Sequence, residues 1–213
     1  MCGRFAITLP PEAMAQLFEA APDHDLPDVP NYNVCPTNAV HTVTSDDGMR
    51  RLRAMRWGFL PHWYKAPNGG PLLINARAET IAEKPAFKMA CRERRCLIPA
   101  TGFYEWTKDA QGNRLPWYIH APDKSPLVFA GVWQTWEKGD APLVTCAIVT
   151  TAANRPMSAI HHRMPAILTE DEQKSFLLEG LESFKPAPEL LVTERSANPL
   201  LKTKPTHIQD ELF

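Results

Sequence analysis

Long apolar runs are missing from this chain of 213 residues. No stretch approaches the ~18 apolar residues of a membrane span, and no basic segment leads into an apolar run at the N-terminus. We therefore expect a cytoplasmic protein without a membrane partner, nucleoid-associated in a bacterium or nuclear in a eukaryote. Glycine is scarce as well: ten glycines against 21 prolines predict fixed turns and short, interrupted elements.

The five cysteines include no C-x-x-C pair, which argues against a disulfide framework and against a zinc site. A metal cluster assembled from Cys91, Cys96 and distant histidines is the less favoured alternative. The chain also has no G-x-x-x-x-G-K-[ST], G-x-G-x-x-G, H-E-x-x-H or G-x-S-x-G motif, so nucleotide binding and serine hydrolysis lose support. We expect no metal and no cofactor.

Length and patterning predict one domain over residues 1–213, of class α+β. The run EAMAQLFEAA after Pro10 and Pro11 fits an amphipathic helix with Met14, Leu17 and Phe18 on one face. Residues 77–90 have a helical pattern interrupted by a proline, and TEDE at 169–172 fits a capping box. Eight apolar or alternating runs, joined by short turns, predict a mainly antiparallel or mixed sheet, barrel-like, with peripheral helices.

The net charge of −1 gives no overall attraction to nucleic acid, but positive charge is concentrated locally. One basic run comprises four arginines between positions 50 and 56, and the segment KPAFKMACRERR at 84–95 holds five cations against one acid. Such runs are usually solvated faces. With an anionic partner they would form a binding surface.

Cys2 follows the initiator methionine, which is generally removed before a small residue. The mature chain would then begin with a free α-amine and a thiol on adjacent carbons. Such a pair can attack an amide, with the amine as base, or capture an aldehyde by forming an imine that the thiol closes into a thiazolidine. Alternatively, position 2 simply holds a small residue.

Three further segments carry groups suited to chemistry. Glu105 in TGFYEW is a carboxyl group among apolar neighbours, on the same strand face as Phe103, and would suit general acid or base work. His161 in SAIHHRMPAIL could shuttle protons, with Arg163 available for an anion, although spacing does not separate His161 from His162. Asn75 and Arg77 in LLINARAE alternate onto one strand face, and Trp63 could stack on unpaired bases. Each could equally be structural.

Six segments resemble those of one family, the SRAP (SOS response-associated peptidase) family, in its order and approximate spacing. They are MCGRF, NYNVCPT, RWGFLPHW, LLINARAET, LIPATGFYEW and IHHRMPAIL. The resemblance extends nearly end to end. It implies autocatalytic removal of Met1, followed by a covalent thiazolidine crosslink between Cys2 and the ring-opened sugar of an abasic site in single-stranded DNA.

The resemblance also implies roles for individual residues. Glu105 would be the general acid and base for both steps, Asn75 would position the N-terminal amine, and His161 would move protons at the sugar. The residues expected at the DNA are Arg4, Trp63, Arg77 and Arg163. Two departures from the family pattern stand out: Cys35, where members often have alanine, and Tyr64, where some have tryptophan.

Two other functions share parts of this evidence. An N-terminal cysteine peptidase or amidase acting on proteins would need Cys2 and Glu105 but no DNA-binding residues. A non-covalent single-stranded DNA-binding module would need the DNA-binding residues but neither Cys2 nor Glu105. We expect a monomer whose partner is single-stranded DNA containing abasic sites.

Overall fold

The computed structural model describes residues 2–180, 184 and 191–196. The helices within these residues are short: α1 (Pro11–Leu17), α2 (Lys88–Glu93), α3 (Arg155–Ser158) and α4 (Glu170–Leu178). The strands are β1 (Phe5–Ile7), β2 (Ala20–Pro22), β3 (Asn31–Val34), β4 (Ala39–Asp46), β5 (Met49–Trp57), β6 (Asn75–Arg77), β7 (Arg95–Ala100), β8 (Gly102–Lys108), β9 (Arg114–His120), β10 (Leu127–Trp136), β11 (Leu143–Ala152), β12 (Arg163–Pro165) and β13 (Val192–Arg195).

A closed ring of strands forms the centre of the protein. The strands β11, β10, β7, β4 and β5 pair antiparallel in that order, and a parallel pairing between β11 and β5 closes the ring. The strands of the ring contribute large apolar side chains to one hydrophobic core, and these side chains are almost wholly buried, among them Leu52, Trp57, Leu97, Ile98, Phe129 and Ile148. The predicted α+β class with a barrel-like core is thereby confirmed, while the single domain over 1–213 stays a prediction.

A second sheet, in the order β13, β9, β8, β1 and β3, packs beside the barrel. The segment CLIPATGFYEW is one of the eight runs predicted as strands, and the structure divides it between the two sheets as β7 and β8. Strand β8 begins at Gly102. A side chain does not fit at this position, because a Cβ there would lie 2.5 Å from the Tyr118 ring of β9. The backbone N–H of Thr101 bonds to the Ala6 carbonyl instead of continuing the barrel.

Two helix predictions needed correction. Helix α1 begins at Pro11 as predicted, but ends at Leu17, whose side chain is exposed while Met14 and Phe18 are buried. Of residues 77–90, predicted as helical, 77–87 form a strand end and turns, and only the last three belong to α2, which starts at Lys88. The predicted capping box at the start of α4 is present. No described helix has the length and apolar character to cross a membrane.

Candidate active site

The N-terminal segment is fixed against β8 by main-chain pairing. Phe5 lies opposite Phe103, and the backbone N–H of Tyr104 donates to the Arg4 carbonyl at 3.0 Å. Continuing this register sets Gly3 opposite Glu105. The sheet therefore brings the beginning of the chain beside a carboxylate a hundred residues away.

Asn75 holds the same segment from the barrel side. Strand β6 adds to β11 with Asn75 opposite Ile148, and the adjacent Ile74 carbonyl accepts the indole N–H of Trp57 at 2.9 Å. In this position the Asn75 amide Nδ2 donates to the Cys2 carbonyl at 2.9 Å. Its Oδ1 atom is buried and, among the described residues, has no hydrogen-bond partner, so an acceptor lies next to Cys2.

The Cys2 side chain is fully buried in the hydrophobic core. Burial raises the pKa of its thiol far above the ordinary value, and the negative charge of Glu105 raises it further. The thiol also donates a weak hydrogen bond to the Arg4 carbonyl at 3.7 Å. At neutral pH the group is therefore a protonated thiol.

Glu105 is 4% exposed and faces a cleft of about 420 Å³. We call this the N-terminal cleft; its lining residues are Gly3, Arg4, Pro36, Glu105, Trp106, Thr107, Lys108, Arg114 and His161. A larger cleft of about 640 Å³, along α1 and α4, contains none of the predicted site residues. Of the predicted site residues, Arg4, Glu105 and His161 line the smaller cleft, and Cys2 precedes its lining residue Gly3.

His161 lines the N-terminal cleft, whereas His162 is exposed and does not. The backbone N–H of Arg163 donates to Nδ1 of His161 at 2.9 Å. The same Nδ1 lies 3.1 Å from the Arg163 carbonyl oxygen, so the ring is held against the Arg163 main chain. The structure therefore resolves which histidine faces the cleft.

Arg163 is fixed by an ion pair. Both terminal nitrogens of its guanidinium bond to the Glu79 carboxylate, at 2.6 and 2.9 Å, and one also contacts the Thr150 carbonyl at 2.5 Å. The hydrogen bonds from Arg163 hold the pKa of Glu79 below its usual range. The predicted DNA contact by Arg163 stays a prediction; in this arrangement the arginine orients the loop that carries His161.

The remaining predicted DNA-binding residues differ in setting. Arg4 lines the N-terminal cleft, and its guanidinium donates to the Cys35 sulfur. Arg77 is exposed at the end of β6. Trp63 is 43% exposed, with its ring edge-on to His62, and lies outside the residues that line the cleft. Its aromatic face is thus accessible, as stacking requires.

The two departures from the family pattern have structural counterparts. Tyr64 is buried in a small cluster with Leu60 and Trp136, and its hydroxyl donates to the Pro71 carbonyl at 3.1 Å. It is therefore a core residue rather than part of a stacking platform. Cys35 is half-buried beside Arg4, and its thiol donates to the Asn33 carbonyl at 3.2 Å.

The two basic runs turn out to be largely engaged within the protein. On β5, Arg51 pairs with Asp23 and Arg53 with Asp46. In the second run, Arg95 donates to carbonyls at the end of α4. These arginines are thus engaged within the protein, and the interpretation of the runs as binding surfaces stays a prediction. Sequence reasoning had missed Lys108 and Arg114, which line the cleft; only the pairing of β8 with β9 brings them together.

Comparison with known proteins supplies the family. The family model described as SOS response associated peptidase (SRAP) matches residues 1–205. The chain belongs to the SRAP family. Among curated SRAP proteins, abasic site processing protein YoqW of Bacillus subtilis is 39% identical over 181 residues, which cover 83% of this chain and 80% of that protein. YedK of Escherichia coli, also named an abasic site processing protein, is 32% identical over 89% of this chain and 85% of its own.

A vertebrate relative and a solved structure extend the SRAP comparison. Abasic site processing protein HMCES of Gallus gallus is 34% identical over 67% of this chain, and the match covers 52% of its length. A crystal structure of a protein from Bacteroides thetaiotaomicron superposes with a TM-score of 0.83 at 28% identity, covering 99% of this chain and 100% of that one. The fold described above is therefore shared with this solved structure over almost the whole chain.

Proposed function

We propose that this protein processes abasic sites in DNA by forming a covalent crosslink through its N-terminal cysteine. The observation that carries the proposal is the setting of Cys2, whose carbonyl is held by Asn75 and whose thiol is buried beside Glu105. The names of YoqW, YedK and HMCES supply the substrate: an abasic site, whose ring-opened sugar is an aldehyde.

Removal of Met1 comes first in the proposed sequence, because the α-amine of Cys2 is otherwise held in a peptide bond. Hydrolysis of that bond adds one water molecule and needs proton transfer to the departing amine. Glu105 lies in reach of the segment through the pairing of β1 with β8. We infer that the cleavage is autocatalytic and that Glu105 transfers the proton.

The raised pKa of the Cys2 thiol sets the order of the crosslinking steps. A free α-amine has an ordinary pKa of about 7.7 to 8.0, so a usable fraction is neutral and nucleophilic at pH 7. The amine therefore adds to the aldehyde first, and the resulting carbinolamine loses its hydroxyl as water to give an imine. The thiol then adds across the C=N bond, the sulfur bonding to carbon while its proton passes to nitrogen.

Three side chains assist these steps in the proposal. Glu105 donates the proton that lets the hydroxyl leave as water. Asn75 offers its unsatisfied Oδ1 to an N–H of the amine, which orients the nitrogen lone pair toward the aldehyde. His161 presents its ring to the sugar oxygen, where proton transfer assists ring opening and, in the reverse direction, release.

DNA binding in this proposal depends on Arg4 and Arg77 at phosphates and on Trp63 against a base. A polyanion bound through such cations releases counterions, so affinity should fall steeply with salt. The narrow N-terminal cleft, with Glu105 almost wholly buried, suits an extruded or unpaired nucleotide. We therefore propose single-stranded DNA as the substrate.

A peptidase acting on other proteins is the second candidate, and the family description keeps it in view. Cys2 and Glu105 would serve it equally well. It gives no role to Arg77, exposed at the end of β6, or to Trp63.

The test is the intact mass of the protein after incubation with a single-stranded oligonucleotide containing one abasic site. We expect a species equal to Met-cleaved protein plus oligonucleotide minus one water. An oligonucleotide with a tetrahydrofuran in place of the abasic sugar is the matched control, because it lacks the aldehyde. If no adduct forms although Met1 is gone, the crosslinking proposal is wrong, and peptide substrates become the next candidates.

A further inference from the structure

The hairpin of β8 and β9 carries two cations that no step above uses. Lys108 and Arg114 lie directly opposite each other at the end of the ladder, and both line the N-terminal cleft. Lys108 follows Glu105 by three residues, which is roughly 10 Å along a strand. The pair therefore lies at one end of the cleft, with Glu105 deeper inside it.

The hairpin stem that presents the two cations is rigid. The indole N–H of Trp117 donates to the Thr107 hydroxyl at 2.9 Å, across the two strands. On its outer side, Trp117 is covered by the Arg195 guanidinium, 4.9 Å from the ring centroid. Lys108 and Arg114 are consequently held at a fixed place relative to the cleft.

Two like charges directly opposite each other destabilise an antiparallel pair. Among the residues that the structure describes, neither Lys108 nor Arg114 has an acidic partner. The nearby acid, Asp109, is committed to the turn: its carboxylate accepts the Asn113 side-chain N–H at 2.8 Å and the backbone N–H of Gln111 at 2.9 Å. Folding alone therefore gives no reason for this cationic pair.

The arginines of the earlier basic runs provide the contrast. Arg51, Arg53 and Arg94 each pair with a carboxylate, and Arg95 bonds to main-chain carbonyls. Their charges are balanced within the protein. Besides Arg4, the lysine and arginine side chains that line the cleft are those of the hairpin, where the sequence pattern did not indicate them.

We propose that Lys108 and Arg114 form a phosphate-binding site that holds the backbone of single-stranded DNA on one side of the abasic residue. This inference rests on the proposed function for the position of the lesion, but not for the binding itself. Strand alternation puts Lys108 on the other face of β8 from Glu105. Both nevertheless line the cleft, which lies where β8 extends beyond the N-terminal segment that pairs with it.

The experiment measures binding of an undamaged single-stranded oligonucleotide by fluorescence anisotropy over a series of salt concentrations. The variant Lys108→Gln/Arg114→Gln removes both charges and keeps the side-chain lengths similar. We expect its affinity to fall roughly tenfold, and its log–log salt slope to become shallower by about 1.4, or about 0.7 for each lost phosphate contact. Truncating the oligonucleotide on the contacted side should abolish the difference from the unsubstituted protein.

The matched control is Lys88→Gln/Arg92→Gln, which makes the same change of charge at two exposed positions of α2. It should bind DNA as the unsubstituted protein does. Equal binding by the hairpin variant and this control would overturn the proposal, and so would failure of the unsubstituted protein to bind DNA. Binding that depends on the hairpin, without any covalent adduct at an abasic site, would instead refute the crosslinking proposal alone.

Discussion

Cys2 and Cys146 are equally buried, yet their surroundings differ in kind. Both side chains are 0% exposed, and burial raises the pKa of both thiols, that of Cys146 to about 12. Cys146 lies in the middle of β11, inside the barrel wall, where its nearest charge is the Arg56 guanidinium. Cys2 instead lies beside the Glu105 carboxylate, next to a cleft, with its main chain held by Asn75.

The comparison shows that burial alone does not mark a reactive cysteine in this fold. What separates Cys2 is a neighbouring carboxylate, a positioned main chain and its place next to Gly3, which lines the N-terminal cleft. A high thiol pKa is compatible with the proposed chemistry because the α-amine, not the thiolate, begins it. Cys146 has the same thiol without an amine.

The largest expected effect comes from substituting Cys2, with the substitution of Cys146 as its comparison. Cys2→Ala should abolish the crosslink, a loss of more than about 1,000-fold in rate, because both the sulfur and ring closure are gone. Cys146→Ala should leave crosslinking unchanged and lower the free energy of unfolding by about 1 kcal/mol, for one lost heavy atom in the core. Gel-shift kinetics and denaturant unfolding measure the two effects. Loss of crosslinking in the barrel variant at full stability would contradict the comparison.

Glu105→Gln tests whether the carboxyl group beside Cys2 is what distinguishes it from Cys146, because the variant loses the proton-transferring group and keeps the thiol. We expect Met1 to remain attached, since its removal requires proton transfer, and we expect no crosslink from that species because the α-amine of Cys2 is still held in a peptide bond. Quench-flow or gel kinetics gives the rate, and intact mass gives the state of Met1. Full methionine removal together with an unchanged rate would exclude Glu105 from the mechanism.

In the barrel, the buried group with a testable effect is a histidine, which should make the stability of the protein depend on pH. Burial lowers the pKa of His41, on β4, from 6.5 to about 4. The unfolded chain then binds a proton below pH 6.5 that the folded chain does not, so stability falls as pH decreases from about 6.5 to about 4. Between pH 7.5 and pH 5 we expect a loss of about 2 kcal/mol in the free energy of unfolding.

Denaturant titrations at these two pH values measure the His41 effect. His41→Leu should flatten the pH dependence, whereas His162→Gln, a change at an exposed histidine, should not. If the His41 variant has the same pH dependence of unfolding free energy as the unsubstituted protein, the buried imidazole is not the cause of that dependence.

The smallest expected effect is at the edge of the site. Arg77→Ala should weaken binding of single-stranded DNA by roughly fivefold and reduce the salt slope by about 0.7, as for one lost phosphate contact. Arg51→Ala, which removes a cation already paired with Asp23, is the matched control and should leave both unchanged. If the salt slope of DNA binding is identical in the two variants, Arg77 does not contact a phosphate.

Local patterns predicted the longer strands and the capping box, because those depend on neighbouring residues, but not the short strands β1, β2 and β3. The pairing of Phe103 and Glu105 on one strand face also followed from alternation, and both are buried. The contact between Cys2 and Asn75 could not be predicted from spacing, since it is made by two separate strand registers. Likewise, the engagement of the β5 arginines and the hairpin cations of the cleft emerged only with the tertiary structure.

The most direct test of the central claim is peptide mapping of the DNA adduct formed without any reductant. Our account predicts that the adduct resides on the N-terminal peptide alone, that this peptide has neither a free amine nor an alkylatable thiol, and that its mass is lower by one water than the sum of its parts. An adduct on another cysteine, or one that survives only after borohydride reduction, would contradict a thiazolidine formed at Cys2.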